Sequence, residues 1–142
     1  MEDCIFCKIV NGDIPSYKVY EDEHLYAFLD ISQTTPGHTL VVPKKHTKDL
    51  FDIDEKTIEQ VYGKVPLIAK ALKKAFPTIK GMNVINNNGA VAYQSVFHFH
   101  VHLIPRYDEK DDFSIHFGNH QSYYTPEQLE AMSKLIAAEI RE

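Results

Sequence analysis

The sequence predicts an α+β fold, with about five antiparallel strands, one long central helix and a C-terminal helix. Three observations carry this prediction. Short runs rich in Val, Leu and Tyr, separated by polar turns, fall into two groups with hairpin-like spacing. Between the groups lies one long stretch with helical periodicity. A second helix start, Thr125-Pro126-Glu127-Gln128, combines an N-cap, a proline at the first helical position and an early acid.

Residues 4–10 form a short apolar opening, closed by the turn Asn11-Gly12-Asp13. Ile14-Pro15 begins an extended stretch. Residues 17–21 and 25–31 predict two strands joined by Asp22-Glu23-His24. Thr34-Thr35-Pro36-Gly37 is a loop, since Pro and Gly both favour turns. Residues 38–43 predict a third strand. Asp54 is placed to cap a long helix running to about Phe76. Ile58, Val61, Tyr62, Val65, Ile68, Leu72 and Phe76 recur every three or four residues and mark its apolar face. Pro66 lies inside that helix and predicts a kink near Tyr62 or Gly63. Residues 82–86 and 95–106 predict the fourth and fifth strands, with Asn87-Asn88-Gly89 as a turn, and the last helix runs to about Ile140. No linker, repeat or low-complexity segment interrupts the chain, so residues 1–142 predict a single domain.

Composition narrows the function. With 44% hydrophobic and 25% charged residues, the chain has the make-up of a soluble globular protein. Its net charge of −5 argues against a nucleic-acid partner, because binding a phosphate backbone needs a basic surface. A small nucleotide is not excluded, since a few N–H groups can hold one phosphate. No apolar run reaches the ~20 residues of a membrane helix. The start Met1-Glu2-Asp3-Cys4 lacks a signal-peptide pattern, so the expected location is cytoplasmic, without membrane association.

The chemistry concentrates in His98-Phe99-His100-Val101-His102. A strand has a side-chain period of two, so the three imidazoles share one face and the apolar residues take the other. One reading is a polar strand face that happens to use histidine. A second is a catalytic zinc site. Against it, His98 and His102 lie roughly 13 Å apart along a straight strand, whereas Zn–N bonds are only ~2 Å. The third is nucleophilic and acid–base work. Imidazole is mostly neutral near pH 7, so one ring can attack phosphorus while a protonated neighbour donates.

Cys4-Ile5-Phe6-Cys7 also admits three readings: a redox pair, two buried thiols, or half of a four-ligand structural zinc site. A disulfide framework is not expected from two cysteines in a cytoplasmic chain.

The stretch Gln94-Ser95-Val96-Phe97-His98-Phe99-His100-Val101-His102-Leu103-Ile104 resembles the signature of the histidine triad (HIT) superfamily. Ile5-Phe6-Cys7-Lys8-Ile9, Ala27-Phe28-Leu29-Asp30-Ile31, Pro36-Gly37-His38 and Val42-Pro43-Lys44-Lys45-His46 resemble the same family, in order, from about Cys4 to Arg106. The chain is most similar to the Hint-like branch of nucleoside phosphoramidases and related nucleotide hydrolases.

That resemblance implies a HIT-like fold and a homodimer acting on a purine nucleotide at its α-phosphate. His100 would be the nucleophile and form a nucleotidyl-histidine. His102 would bind or protonate phosphoryl oxygen or the leaving group, with His98 and His38 completing the histidine cluster. Asp30 would hold the ribose hydroxyls, and Ile5, Phe6, Phe28, Leu29 and Ile31 would line the purine pocket. Asn87, Gln94 and Ser95 would meet phosphate, ribose or leaving group. No cofactor is expected for the attack. In bacterial-type relatives a structural zinc is held by residues matching Cys4, Cys7, His46 and His98. The last 35 or so residues match no family pattern. Two rival functions remain at this level: a zinc-dependent hydrolase with water as nucleophile, and a non-catalytic nucleotide-binding protein.

Overall fold

A computed structural model describes residues 3–142; the acidic start at Met1 and Glu2 lies outside the described residues. Helix α1 (Ile5–Val10) leads into strands β1 (Lys18–Glu21), β2 (Leu25–Leu29) and β3 (Thr39–Pro43). Helix α2 (Glu55–Ala75) connects them to strands β4 (Gly81–Ile85) and β5 (Val101–Arg106), and helix α3 (Pro126–Glu139) ends the chain. The five strands form one antiparallel sheet in the order β1-β2-β3-β5-β4.

Side-chain alternation sorts the sheet into two apolar layers. Leu25 and Ala27 of β2, Val41 of β3 and Val101 and Leu103 of β5 face α2, where Val61, Val65, Ile68 and Leu72 cover them. Tyr26 and Phe28 of β2 and Leu40 and Val42 of β3 face the opposite way, onto Phe6 and Ile9 of α1. Strands β2 and β3 are therefore buried on both sides, which explains their nearly unbroken apolar sequence.

Helix α2 begins where expected: the Asp54 carboxylate accepts from the Thr57 N–H at 2.7 Å. It runs as one helix through Pro66. Pro66 and Tyr62, four residues apart, both lie on the exposed side of the helix, where water can serve a carbonyl that proline leaves without a donor. Helix α3 starts with a full capping box, Thr125 and Gln128 each bonding the other's backbone N–H.

One segment gains a structure that the sequence did not specify, and one strand needs correction. The opening segment is a helix; the Cys4 side chain caps it by accepting from the Cys7 N–H. At six residues it is too short to show a period. The fifth strand is also shorter than residues 95–106, because only Val101–Arg106 pairs in the ladder. Before it, the Phe99 N–H turns away from the sheet to the Thr47 carbonyl at 2.7 Å. His98 and His100 thus stand on unpaired backbone, and only His102 on the strand. Among the described residues, no helix is long and apolar enough to cross a membrane.

Candidate active site

On the α1 side of the sheet a cavity of about 290 Å³ opens between α1, the 14–17 segment, the end of β2 and the histidine run. Predicted residues Ile5, Phe6, Phe28, Leu29, Asp30, Ile31, Ser95, His100 and His102 all line it. Larger surface hollows lie at the β4–β5 end and beside Cys4, but neither contains His100 or His102. The wall is mostly apolar, with an acid and two imidazoles converging at one end, as expected of a small-molecule site.

Backbone contacts fix the tautomer of each histidine. A carbonyl oxygen only accepts, so a ring nitrogen hydrogen-bonded to it must carry the proton. His100 Nδ1–H donates to the His98 carbonyl at 2.8 Å, which leaves His100 Nε2 with a bare lone pair. His38 Nδ1 accepts from the Thr34 N–H, so its proton sits on Nε2. That Nε2–H donates to His102 Nδ1 at 2.9 Å, which puts the proton of neutral His102 on Nε2. Burial lowers the pKa of His38 and of His100. Burial, and then the nearby His100 and His38, push His102 down to about 4. All three rings are therefore neutral near pH 7.

Asp30 sits at the junction of loop and cavity. Burial opposes its charge, but the Ser32 hydroxyl and N–H, both on Oδ1 at 2.6 and 2.8 Å, hold its pKa below the ordinary value. Its other oxygen, 3.7 Å from His38 Nε2, remains free to accept. The loop from Asp30 to His38 is closed by Gln33, whose amide donates to the Asp30 and His38 carbonyls at 2.7 Å and accepts from the Gly37 N–H. Gly37 is required there: its φ is +94°, and a Cβ would meet Leu72 and Pro105 at 3.3 Å.

His98 faces away from the cavity. Its Nε2–H donates to the Pro43 carbonyl at 2.8 Å, turning Nδ1 toward the two thiols. Cys4 Sγ and Cys7 Sγ lie 3.3 and 3.5 Å from that Nδ1, and Cys7 Sγ lies 3.3 Å from His46 Nδ1. All four donor atoms fall within 4.8 Å of one another. A tetrahedral zinc, with Zn–S ~2.3 Å and Zn–N ~2.0 Å, sets sulfur and nitrogen about 3.5 Å apart. The donor set and its spacing thus fit zinc, and the Pro43 carbonyl supplies the outer contact that orients a ligating imidazole. Burial, with Cys4 alongside, raises the Cys7 pKa, and burial pushes His98 down to about 4. A divalent cation would reverse the first effect and is compatible with the second.

Three predicted residues stand elsewhere. His38 does not line the cavity and meets it through His102 and Asp30. Gln94 is buried, and its amide bonds the Lys48 and Val96 carbonyls and the Gly89 N–H, so it holds the loop and has no group free for a ligand. Asn87 does not line the cavity either. Its neighbour Asn86 donates to the His100 carbonyl at 3.0 Å, a contact that the sequence reading did not include. Gln33, Ile14 and Tyr17 were also missed; a polar residue in a loop and an extended Ile-Pro carry no pattern of their own.

The sequence profile of the HIT domain matches residues 11–109. The fold superposes on a HIT family protein from Bacillus anthracis with a TM-score of 0.95, at 50% identity and over 99% of both chains. A HIT family member from Bacillus subtilis gives 0.94 at 49% identity, also over 99% of both. The adenosine 5'-monophosphoramidase hnt1 of Schizosaccharomyces pombe is 36% identical over 138 residues, 97% of this chain and 98% of its own. A Zn-bound histidine triad family protein from Mycobacterium smegmatis matches with a TM-score of 0.75 at 36% identity, over 97% of this chain and 99% of its own. This chain belongs to the HIT family.

Proposed function

We propose that this chain is a nucleotide phosphohydrolase or transferase that cleaves a purine nucleotide at its α-phosphate, through a nucleotidyl-histidine on His100. The bare Nε2 of His100, at one end of a base-sized apolar cavity, carries this reading. The similarity to a protein named adenosine 5'-monophosphoramidase supports the substrate class, a nucleoside phosphoramidate or a dinucleoside polyphosphate.

In the proposed complex the base lies among Ile5, Phe6, Phe28, Leu29 and Ile31, and the free oxygen of Asp30 accepts from ribose hydroxyls. Phosphate then falls between His100 and His102, with Ser95 at the rim. Its negative charge favours protonated His102 and counters the burial that disfavours it. His100 Nε2 donates its lone pair to phosphorus, the bond from phosphorus to the leaving nitrogen or oxygen breaks, and His102 gives its proton to the departing group. Water then attacks phosphorus and returns a proton to His102. The P–Nε2 bond breaks with its electron pair returning to His100, and a nucleoside monophosphate leaves. Before substrate binds, His38 Nε2–H keeps the proton of neutral His102 on Nε2. With His102 protonated, His38 carries its own proton on Nδ1 and its Nε2 accepts from His102 Nδ1–H, while Asn86 anchors the backbone of His100.

Zinc at Cys4, Cys7, His46 and His98, when bound, supplies a structural cross-link between α1 and the histidine run. Four protein ligands leave no open position for water, which weighs against the zinc-hydrolase reading. Residues 1–142 act as one domain, in the cytoplasm and as a homodimer.

The test is turnover of an adenosine 5′-phosphoramidate carrying a fluorogenic amine, with and without chelator, beside His100→Ala. Turnover that survives chelation and vanishes in the variant is expected. Loss of turnover on chelation with the fold intact would return the zinc hydrolase to first place. Binding of adenosine monophosphate without turnover of phosphoramidates or dinucleotides would leave a binding protein.

A further inference from the structure

Cys4 and Cys7 are the two cysteines of the chain, and both are free thiols, neither buried nor fully exposed. Helix α1 sets them side by side. Cys4 is its N-cap and Cys7 stands one turn on, with the Cys7 N–H donating to Cys4 Sγ at 3.4 Å. Residues three apart on a helical turn have Cα atoms about 5 Å apart, inside the roughly 4.4–6.8 Å that a disulfide spans. The two sulfurs belong to a group of donor atoms that all lie within 4.8 Å of one another. A bond between them therefore asks for side-chain movement and none of the backbone. Neither sulfur lines the cavity that holds His100, so whatever they do is separate from the nucleotide chemistry.

The two sulfurs differ in access. Cys4 lines an open surface hollow of about 500 Å³ beside Asp3, His46, Ser95 and Phe97, and Cys7 does not. A small solute thus meets Cys4 first. A proton acceptor stands beside both. His98 commits its Nε2–H to the Pro43 carbonyl, so its Nδ1 presents a lone pair 3.3 Å from Cys4 Sγ and 3.5 Å from Cys7 Sγ. We propose that Cys4 and Cys7 form a reversible oxidation site for a small hydroperoxide, with Cys4 as the attacking sulfur and Cys7 as the resolving one. Cys4 passes its proton to His98 Nδ1 and attacks one peroxide oxygen. The O–O bond breaks, and the departing oxygen takes that proton and leaves as water when the oxidant is hydrogen peroxide. Cys7 then attacks the sulfur of the Cys4 sulfenic acid. The S–O bond breaks, and a second water leaves with the Cys7 proton. Two electrons pass from the two thiols to the peroxide, and a dithiol reductant returns them. When zinc is bound the sulfurs are already thiolates, and solvent supplies the two protons. Metal is held by thiolate and not by disulfide sulfur. Oxidation therefore withdraws two of the four donors Cys4, Cys7, His46 and His98, and the disulfide and zinc exclude each other.

The test uses the full chain, reduced, in metal-free and zinc-reconstituted form, with hydrogen peroxide as the probe. A colorimetric reagent counts free thiols, mass spectrometry reads the intact chain, and a chromogenic chelator follows released zinc. The expected result is loss of both thiols in a single chain lighter by two hydrogens, their recovery with dithiothreitol, and zinc release in step with the disulfide. Cys7→Ser should stop at a Cys4 sulfenic acid that dimedone traps, and Cys4→Ser should react at least about tenfold more slowly than wild type. Thiols of the metal-free wild type that outlast a large excess of peroxide would overturn the site, and this measurement asks no variant to fold. Sulfinic acids, or disulfides between chains, as the first products would overturn it as well. Equal rates in Cys4→Ser and wild type would take the attacking role from Cys4, and zinc that stays on the oxidised chain would overturn the exclusion of metal. Turnover enters none of these readouts, so failure here is separable from failure of the proposed activity.

Discussion

His98 and His100 are the same residue two positions apart, yet they present opposite nitrogens. His98 gives Nε2–H to the Pro43 carbonyl and turns Nδ1 to two thiols; His100 gives Nδ1–H to the His98 carbonyl and turns Nε2 to the cavity. One backbone acceptor in each case selects the tautomer, and the tautomer selects the chemistry. The rings lie on one side of the chain, but one belongs to a cluster with two thiols and His46 and the other to a pocket. The difference teaches that a histidine motif is read less by its spacing than by which nitrogen the backbone has already occupied.

This comparison can be broken experimentally. The largest effect belongs to His100→Ala, which should lower phosphoramidate turnover by at least about 10³-fold while circular dichroism and melting stay near wild type. A variant that kept a tenth of the activity would remove His100 from the nucleophile's role. His98 should behave in the opposite way. Metal removal by a strong chelator, or Cys7→Ser, should lower stability by about 3 kcal/mol or more, and Tm by about 10 °C. Turnover should fall far less than in His100→Ala, and the change should appear mainly in KM, through Phe6. Metal content measured on the purified protein, followed by calorimetry with and without chelator, checks this. An unchanged Tm in a metal-loaded sample would mean that the four donors do not brace the fold.

Asp30→Asn comes next. Loss of charge-assisted hydrogen bonds to ribose is worth about 1.5–3 kcal/mol, so KM should rise about 10–100-fold with little change in kcat. A 2′,3′-dideoxy substrate should bind wild type and variant alike; if the variant still discriminates, Asp30 does not hold the ribose. Asn86→Ala should show the smallest effect. Removing its bond to the His100 carbonyl should lower kcat about 3–10-fold, with a loss of about 1 kcal/mol in urea unfolding. Equal turnover would leave Asn86 a loop anchor without influence on His100.

Much of this was legible beforehand, for definable reasons. The long helix, its Asp54 cap and the Thr125 capping box rest on local signals, and local signals survive folding. The alternation of histidine with Phe99, Val101 and Leu103 correctly separated the two faces, since those apolar residues all meet α2. It did not reveal where the ladder stops. Extended backbone alternates whether or not it is paired, and pairing depends on β3, whose register with β5 ends at Val41 opposite Val101. The roles of Gln94, Gln33 and Asn86 depend on carbonyls distant in sequence or hidden in a loop, to which residue type gives no clue. The HIT resemblance brought Cys4, Cys7, His46 and His98 together on paper; the structure adds that their donor atoms meet in space.

The six residues of α1 have a further consequence. The ring of Phe6 stands edge-on to His98 and to His100, at centroid distances of 5.9 and 5.0 Å, and edge-on to Phe28 at 5.5 Å. Phe6 is also a wall of the cavity, and it lies between the two cysteines in sequence. Whatever grips the thiols would therefore set the position of a ring that walls the cavity. By thermodynamic reciprocity, a ligand that presses Phe6 into place must tighten the grip on the thiols by the same free energy. The proposed occupants, one a cation and one a nucleotide, would thereby report on each other through a single aromatic side chain.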